Sequence, residues 1–153
     1  MDGKRELSKK GEIMIYTFKV SLDKDLYRII EIRGNKTLLD LATIILKSYN
    51  FDMDHMFGFY SNLKNPYKSD EAYELLDESG FAVNNNTKDL SKTSIEEVFS
   101  LKKKMLFLFD YGDEWYFLIE CKKINDAEHK KRYPRVIEKI GKAPEQYPDY
   151  EEE

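Results

Sequence analysis

Cysteine is nearly missing from the 153 residues: Cys121 stands alone, so no disulfide forms within the chain and packing has to hold the fold. With no histidine near it in sequence, Cys121 reads as a small buried hydrophobe rather than a nucleophile. Histidine is almost as scarce. His55 and His129 are the only two, and with one thiol they supply no zinc-ligand spacing, so no metal is expected. No cofactor is expected either, because neither glycine-rich phosphate template occurs, and a GxSxG nucleophile elbow is also missing. Nothing in the chain supports an enzyme. No apolar run approaches the length of a membrane span and no signal peptide precedes the first apolar segment, which predicts a cytoplasmic protein without membrane contact. A basic excess is lacking too, since the formal net charge is −4 and the pI about 5.4, and this argues against a nucleic-acid surface. The runs Lys102 to Lys104 and His129 to Arg132 leave weak nucleic-acid binding only as an alternative, because solvated faces or strand-edge charges account for both.

What is abundant is ring-bearing side chains. The chain has 11 tyrosines and 9 phenylalanines, which bury much area each and suit strands. With 41% hydrophobic and 35% charged residues, its length fits one domain with one core. The stretch that organises it is Phe107 to Glu120, FLFDYGDEWYFLIE. Phe107, Phe109 and Tyr111 alternate before a turn, and Trp115, Phe117 and Ile119 alternate after it, the period of a half-buried antiparallel pair. Gly112, between Asp110 and Asp113, is expected to supply the backbone freedom of the reversal.

Taken in order, residues 1–11 read as a polar arm and 12–140 as one domain. Residues 141–153 read as an acidic extended tail, whose Tyr147 and Tyr150 dock on a partner or on the chain's own sheet. Glu12 to Val20 and Leu26 to Arg33 predict two antiparallel strands. Asn35 or Thr37 is placed to cap a helix from Leu38 to Ser48 whose broad apolar arc faces the sheet. Met56 to Ser61 predicts a third strand with a bulge at Gly58. Asn62 to Ser91 is irregular, and its acidic stretch from Asp70 to Glu78 lacks the ligand order of a calcium loop. Ser94 and Glu97 make a capping box for a short helix. After the aromatic hairpin, Asp126 to Ile140 is expected to be partly helical until Pro134. Together these predict an α+β, β-grasp-like (ubiquitin-like) domain: a mixed sheet of about five strands with one crossing helix and a short second helix.

The motif Phe109-Asp110-Tyr111-Gly112-Asp113-Glu114-Trp115 resembles the signature of the plasmid pRiA4b ORF-3-like family: aromatic, Asp, aromatic, Gly, Asp, any residue, Trp. Tyr27-Arg28, Asp52 to Phe59 (DMDHMFGF) and Tyr133-Pro134-Arg135 resemble three further segments of that family, in its order. The departures are Phe57 and Phe117, where the family often has histidine, and Val136 and residues near Ala143, where it commonly has cysteine. A metal held by such groups in relatives would find no ligands here. The resemblance implies no settled activity, only an association with mobile elements.

Arg28, His55, Asp110, Asp113, Trp115 and Arg135 form the candidate cleft. In one reading they converge, with Trp115 as an apolar wall, to bind a small ligand or act as an enzyme. In the other, the aspartates bond turn amides, Trp115 fills the core and His55 caps or packs. The expected function is a non-catalytic interaction module whose sheet edge or aromatic cleft binds a protein or peptide.

Overall fold

The computed structural model describes residues 12–76 and 87–148. The expected N-terminal arm, Asp77 to Asn86 of the middle region, and Tyr150 with the acidic end lie outside the described residues.

Strand β1 (Met14–Asp23) alternates Tyr16, Phe18 and Val20 towards one side, and β2 (Leu26–Arg33) adds Ile30 and Ile32 to the same side. The two pair antiparallel through the short connection at residues 24 and 25. Helix α1 (Leu38–Ser48) starts at Thr37, whose hydroxyl accepts the Asp40 amide at 3.2 Å while the Asp40 carboxylate accepts the Thr37 amide at 3.0 Å. That capping box satisfies two amide donors at the helix start. Leu38, Leu41, Ala42 and Ile45 are fully buried in the core formed with Phe18, Ile30, Phe107 and Phe117, so the helix lies against that face of the sheet. Strands β3 (Phe57–Tyr60), β4 (Ala72–Glu74) and β5 (Thr87–Asp89) follow, then the short helix α2 (Ile95–Val98) under its Ser94–Glu97 capping box. The aromatic hairpin β6 (Lys104–Phe109) and β7 (Trp115–Asp126) and the last strand, β8 (Arg135–Ile140), complete the order.

All eight strands join one sheet in the order β5-β4-β3-β6-β7-β1-β2-β8. Every neighbouring pair is antiparallel except β4 and β5, which are parallel. This overturns the five-strand β-grasp with a crossing helix: the described chain is mostly sheet, with only two short helices. Three strands were not anticipated. Two of them, β4 and β5, have three residues each, too few to display a period of two. The third, β8, is an edge strand exposed along most of its length, so no alternation of burial marks it. It also replaces the expected partial helix, because β7 continues to Asp126 and Arg135–Ile140 pairs with β2.

Two glycine expectations are corrected as well. No register shift occurs at Gly58, which pairs regularly with Leu108 on one side and Glu74 on the other. At the hairpin turn the left-handed residues are Asp110 (φ 68°) and Glu114 (φ 55°), while Gly112 is not among the positive-φ positions. Aspartate tolerates that region because its side chain can bond the local backbone. No described helix is long and apolar enough to cross a membrane.

Candidate functional site

The turn after β6 is held by Asp110. Its amide donates to the Met56 carbonyl at 2.8 Å, and its Oδ1 accepts the amides of Gly112 at 3.1 Å and Asp113 at 3.2 Å. Only 5% exposed, this carboxylate turns its second oxygen to His55, 3.5 Å from Nε2. Two of the six candidate residues therefore meet. Asp113 lies at the exposed tip of the same turn. Trp115 pairs across the hairpin with Phe109 and sets its ring edge-on to Phe51 at 4.8 Å, while its Nε1 is buried without a partner.

His55 is joined by residues of the C-terminal segment. Its Nε2 lies 2.7 Å from the Tyr147 hydroxyl and 3.8 Å from Asp54 Oδ1. Tyr147 donates its own proton to Asp54 Oδ2 at 2.7 Å. That bond pushes the Tyr147 hydroxyl up to about 12 and holds the Asp54 carboxyl below its ordinary value. Gln146, buried beside them, accepts the Asp52 amide at 2.7 Å and donates to the Asp52 carbonyl at 3.1 Å, so its amide acts as one rung of a ladder. Residues 146 and 147 thus dock on the chain's own loop before β3.

The other two candidates stand elsewhere. Arg28 is 3% exposed, and its guanidinium donates to the carbonyls of Ser48 (2.9 Å), Tyr27 (3.0 Å), Ile140 (3.1 Å) and Gly141 (3.1 Å). It also stacks 4.4 Å from the centre of the Tyr49 ring. It ties the C-terminus of α1, where the helix dipole favours a cation, to the end of β8. Burial pushes the Tyr49 hydroxyl up to about 12 although Arg28 opposes the shift. Arg135, on β8, lies 3.6 Å from Glu31 of β2, and neither it nor Arg28 contacts His55 or Asp110.

Tyr147, Asp54 and Asp110 all approach the same ring nitrogen of His55, Nε2. No group of three or more metal-ligating side chains occurs among the described residues.

A cleft of about 420 Å³ opens on the sheet face turned away from α1, lined by Tyr60, Pro66, Tyr67, Glu74, Leu75 and Tyr111 with Met56, Phe57 and Ala72. Tyr60, Ala72 and Leu108 form a small buried cluster there, with Tyr111 packed on it. Gly58 makes this possible. A Cβ at that position would come within 2.6 Å of the Tyr60 hydroxyl and 2.9 Å of the Tyr111 hydroxyl, so the missing side chain is room for two phenols. Tyr60 donates to Glu74, and the Tyr60 and Tyr111 hydroxyls lie 2.7 Å apart. Tyr67 donates to Glu114 at 3.3 Å. Burial raises both Tyr60 and Tyr111, the latter to about 12.

Sequence reasoning placed none of these cleft tyrosines in a site. Tyr60 and Tyr111 lie 51 positions apart and meet only because β3 pairs with β6. The available signal was the glycine two residues before Tyr60, which alternation places on the same face.

A broad, almost wholly antiparallel sheet, backed by one helix and carrying an aromatic cleft beside its motif-bearing turn, defines a sheet-dominated domain with a preformed concavity. The chain belongs to the plasmid pRiA4b ORF-3-like protein family, whose model matches residues 14–149. Among solved structures it is similar to a protein of unknown function from Methanosarcina mazei Go1, with a TM-score of 0.70 and 21% identity over 87% of this chain and 72% of that one. That likeness shows the fold. No curated protein matches the chain.

Proposed function

We propose that the chain is a non-catalytic binding module for a protein or peptide partner, with the tyrosine cleft between β3, β4 and the β6–β7 turn as its seat. The observation that carries this reading is the cleft itself. Its volume of about 420 Å³ falls within the range of small-molecule and side-chain pockets, and its walls are apolar with a few convergent polar groups. Tyrosines suit such a role, since they offer large, stiff contact area with a polar tip. Chemistry is left out because the His55 and Asp110 side chains are engaged with Tyr147 and with turn amides. Nucleic acid is a weaker reading. Lys103, in the middle of one basic run, is spent on Glu71 and on the Val98 carbonyl. A cytoplasmic setting belongs to the same proposal and rests on the lone cysteine.

Selection from a displayed random-peptide library tests the reading. Enriched peptides should bind the native chain and lose most of their affinity for the Tyr111→Ala variant. Enrichment of no peptide, or binding indifferent to Tyr111→Ala and Tyr67→Ala, would overturn it.

A further inference from the structure

The hydrogen bonds of the cleft run in one direction. Tyr60 gives its proton to Glu74 Oε2, so the bond between the two phenols must be donated by Tyr111 to the Tyr60 oxygen. Tyr67 gives its proton to Glu114. Every phenol that lines the cavity has therefore spent its donor. What remains for a ligand is acceptors: the Tyr111 oxygen and Glu74 Oε1, which takes no hydrogen bond from a described residue. The charge points the same way, because the lining includes the acid Glu74 and no lysine or arginine among the described residues. Tyrosine ring faces are themselves electron-rich. A carboxylate or phosphate entering here would meet one negative charge and, among the described side chains that line the cleft, no hydroxyl without an acceptor already.

We propose that the cleft takes a positively charged side chain of a partner peptide, its alkyl stem against Pro66, Leu75 and the tyrosine rings and its ammonium or guanidinium on Glu74. This rests on the reading of the cleft as the binding seat. The charged head replaces its lost water with the Glu74 oxygen and the Tyr111 oxygen, while the stem excludes solvent.

Three probes that share one apolar body separate the two claims: phenylbutylamine, phenylbutanol and phenylbutyrate, titrated against the chain by NMR with the cleft tyrosines as reporters. The amine should bind about tenfold more tightly than the alcohol, and the butyrate most weakly. Glu74→Gln, which keeps an oxygen for the Tyr60 proton, should remove the preference, so that this variant binds the amine no more tightly than the alcohol. Raising salt should weaken the amine alone. Equal affinity for amine and alcohol, or a preference for butyrate, would overturn the cationic assignment while leaving the cleft a binding site. Failure of all three to move the cleft resonances would take both readings down.

Discussion

Replacing Arg28 by leucine should destabilise the protein without touching the cleft. The guanidinium holds four carbonyls, and the one on Ser48 is buried while the other three bonds are half-buried. A hydrogen bond from a charged donor contributes about 1.5 to 3 kcal/mol, and a buried acceptor left unpaired costs about as much. The Ser48 carbonyl meets that full penalty. Those of Tyr27, Ile140 and Gly141 can recruit water, and so lose about 0.5 to 1 kcal/mol each. Against this, leucine avoids the desolvation cost of a buried charge, which returns several kcal/mol. The gross loss is about 3 to 6 kcal/mol, so after that return the net expectation is a loss of about 1 to 3 kcal/mol, equivalent to a fall in melting temperature of roughly 2 to 12 °C for a chain of this size. Urea unfolding followed by the fluorescence of Trp115, the single tryptophan, measures it directly. Arg28→Lys should recover only part of the loss, since one ammonium cannot reach carbonyls on two strands and a helix end at once. A change below about 0.5 kcal/mol for the leucine variant would refute the clamp. So would native stability combined with lost ligand binding, which would return Arg28 to a site.

Asp110→Ala should cost about 1 to 3 kcal/mol, because it strips two turn amides of their acceptor and puts alanine in the left-handed region; Asp110→Asn, which keeps both, should cost under about 1 kcal/mol, and equal losses would contradict the turn account. Gly58→Ala forces a methyl against the Tyr60 and Tyr111 hydroxyls, so a loss of about 1 to 3 kcal/mol and weaker phenylbutylamine binding are expected, with unaltered binding counting against the cleft geometry. Glu71 should make stability fall in acid. Burial alone would raise its carboxyl, but the Tyr73 hydroxyl and the Lys103 ammonium outweigh that and hold it below the usual range. A lowered folded value means the stabilisation is fully present above the ordinary carboxylate range and disappears as pH drops through the lowered value. The gap in urea midpoint between the native chain and Glu71→Gln should therefore close on acidification, and a gap constant with pH would refute the assignment.

Where local pattern and tertiary environment agree, the elements were legible. Leu26 to Arg33 and Leu38 to Ser48 have the bounds expected of them, because burial on one face imposes a period and a capping residue sets the start. The Thr37 and Ser94 boxes are short-range chemistry that any chain with those residues can form. The β4 and β5 strands escaped notice because pairing partners, not their own three residues, make them strands. For β8, the partner is β2, whose paired residues lie more than a hundred positions upstream. The same physics explains the site. Asp110 and Trp115 stood out as a motif, and the structure uses them as a joint: one pins the turn, the other packs on Phe51. The joint has two sides. With Asp110 turned towards His55 and the docked Tyr147, Tyr111 next to it is delivered to the opposite face, where it meets Tyr60 over Gly58. A motif conspicuous for its carboxylates thus also places a phenol in the cleft, and that phenol finds its partner only when β3 is laid beside β6.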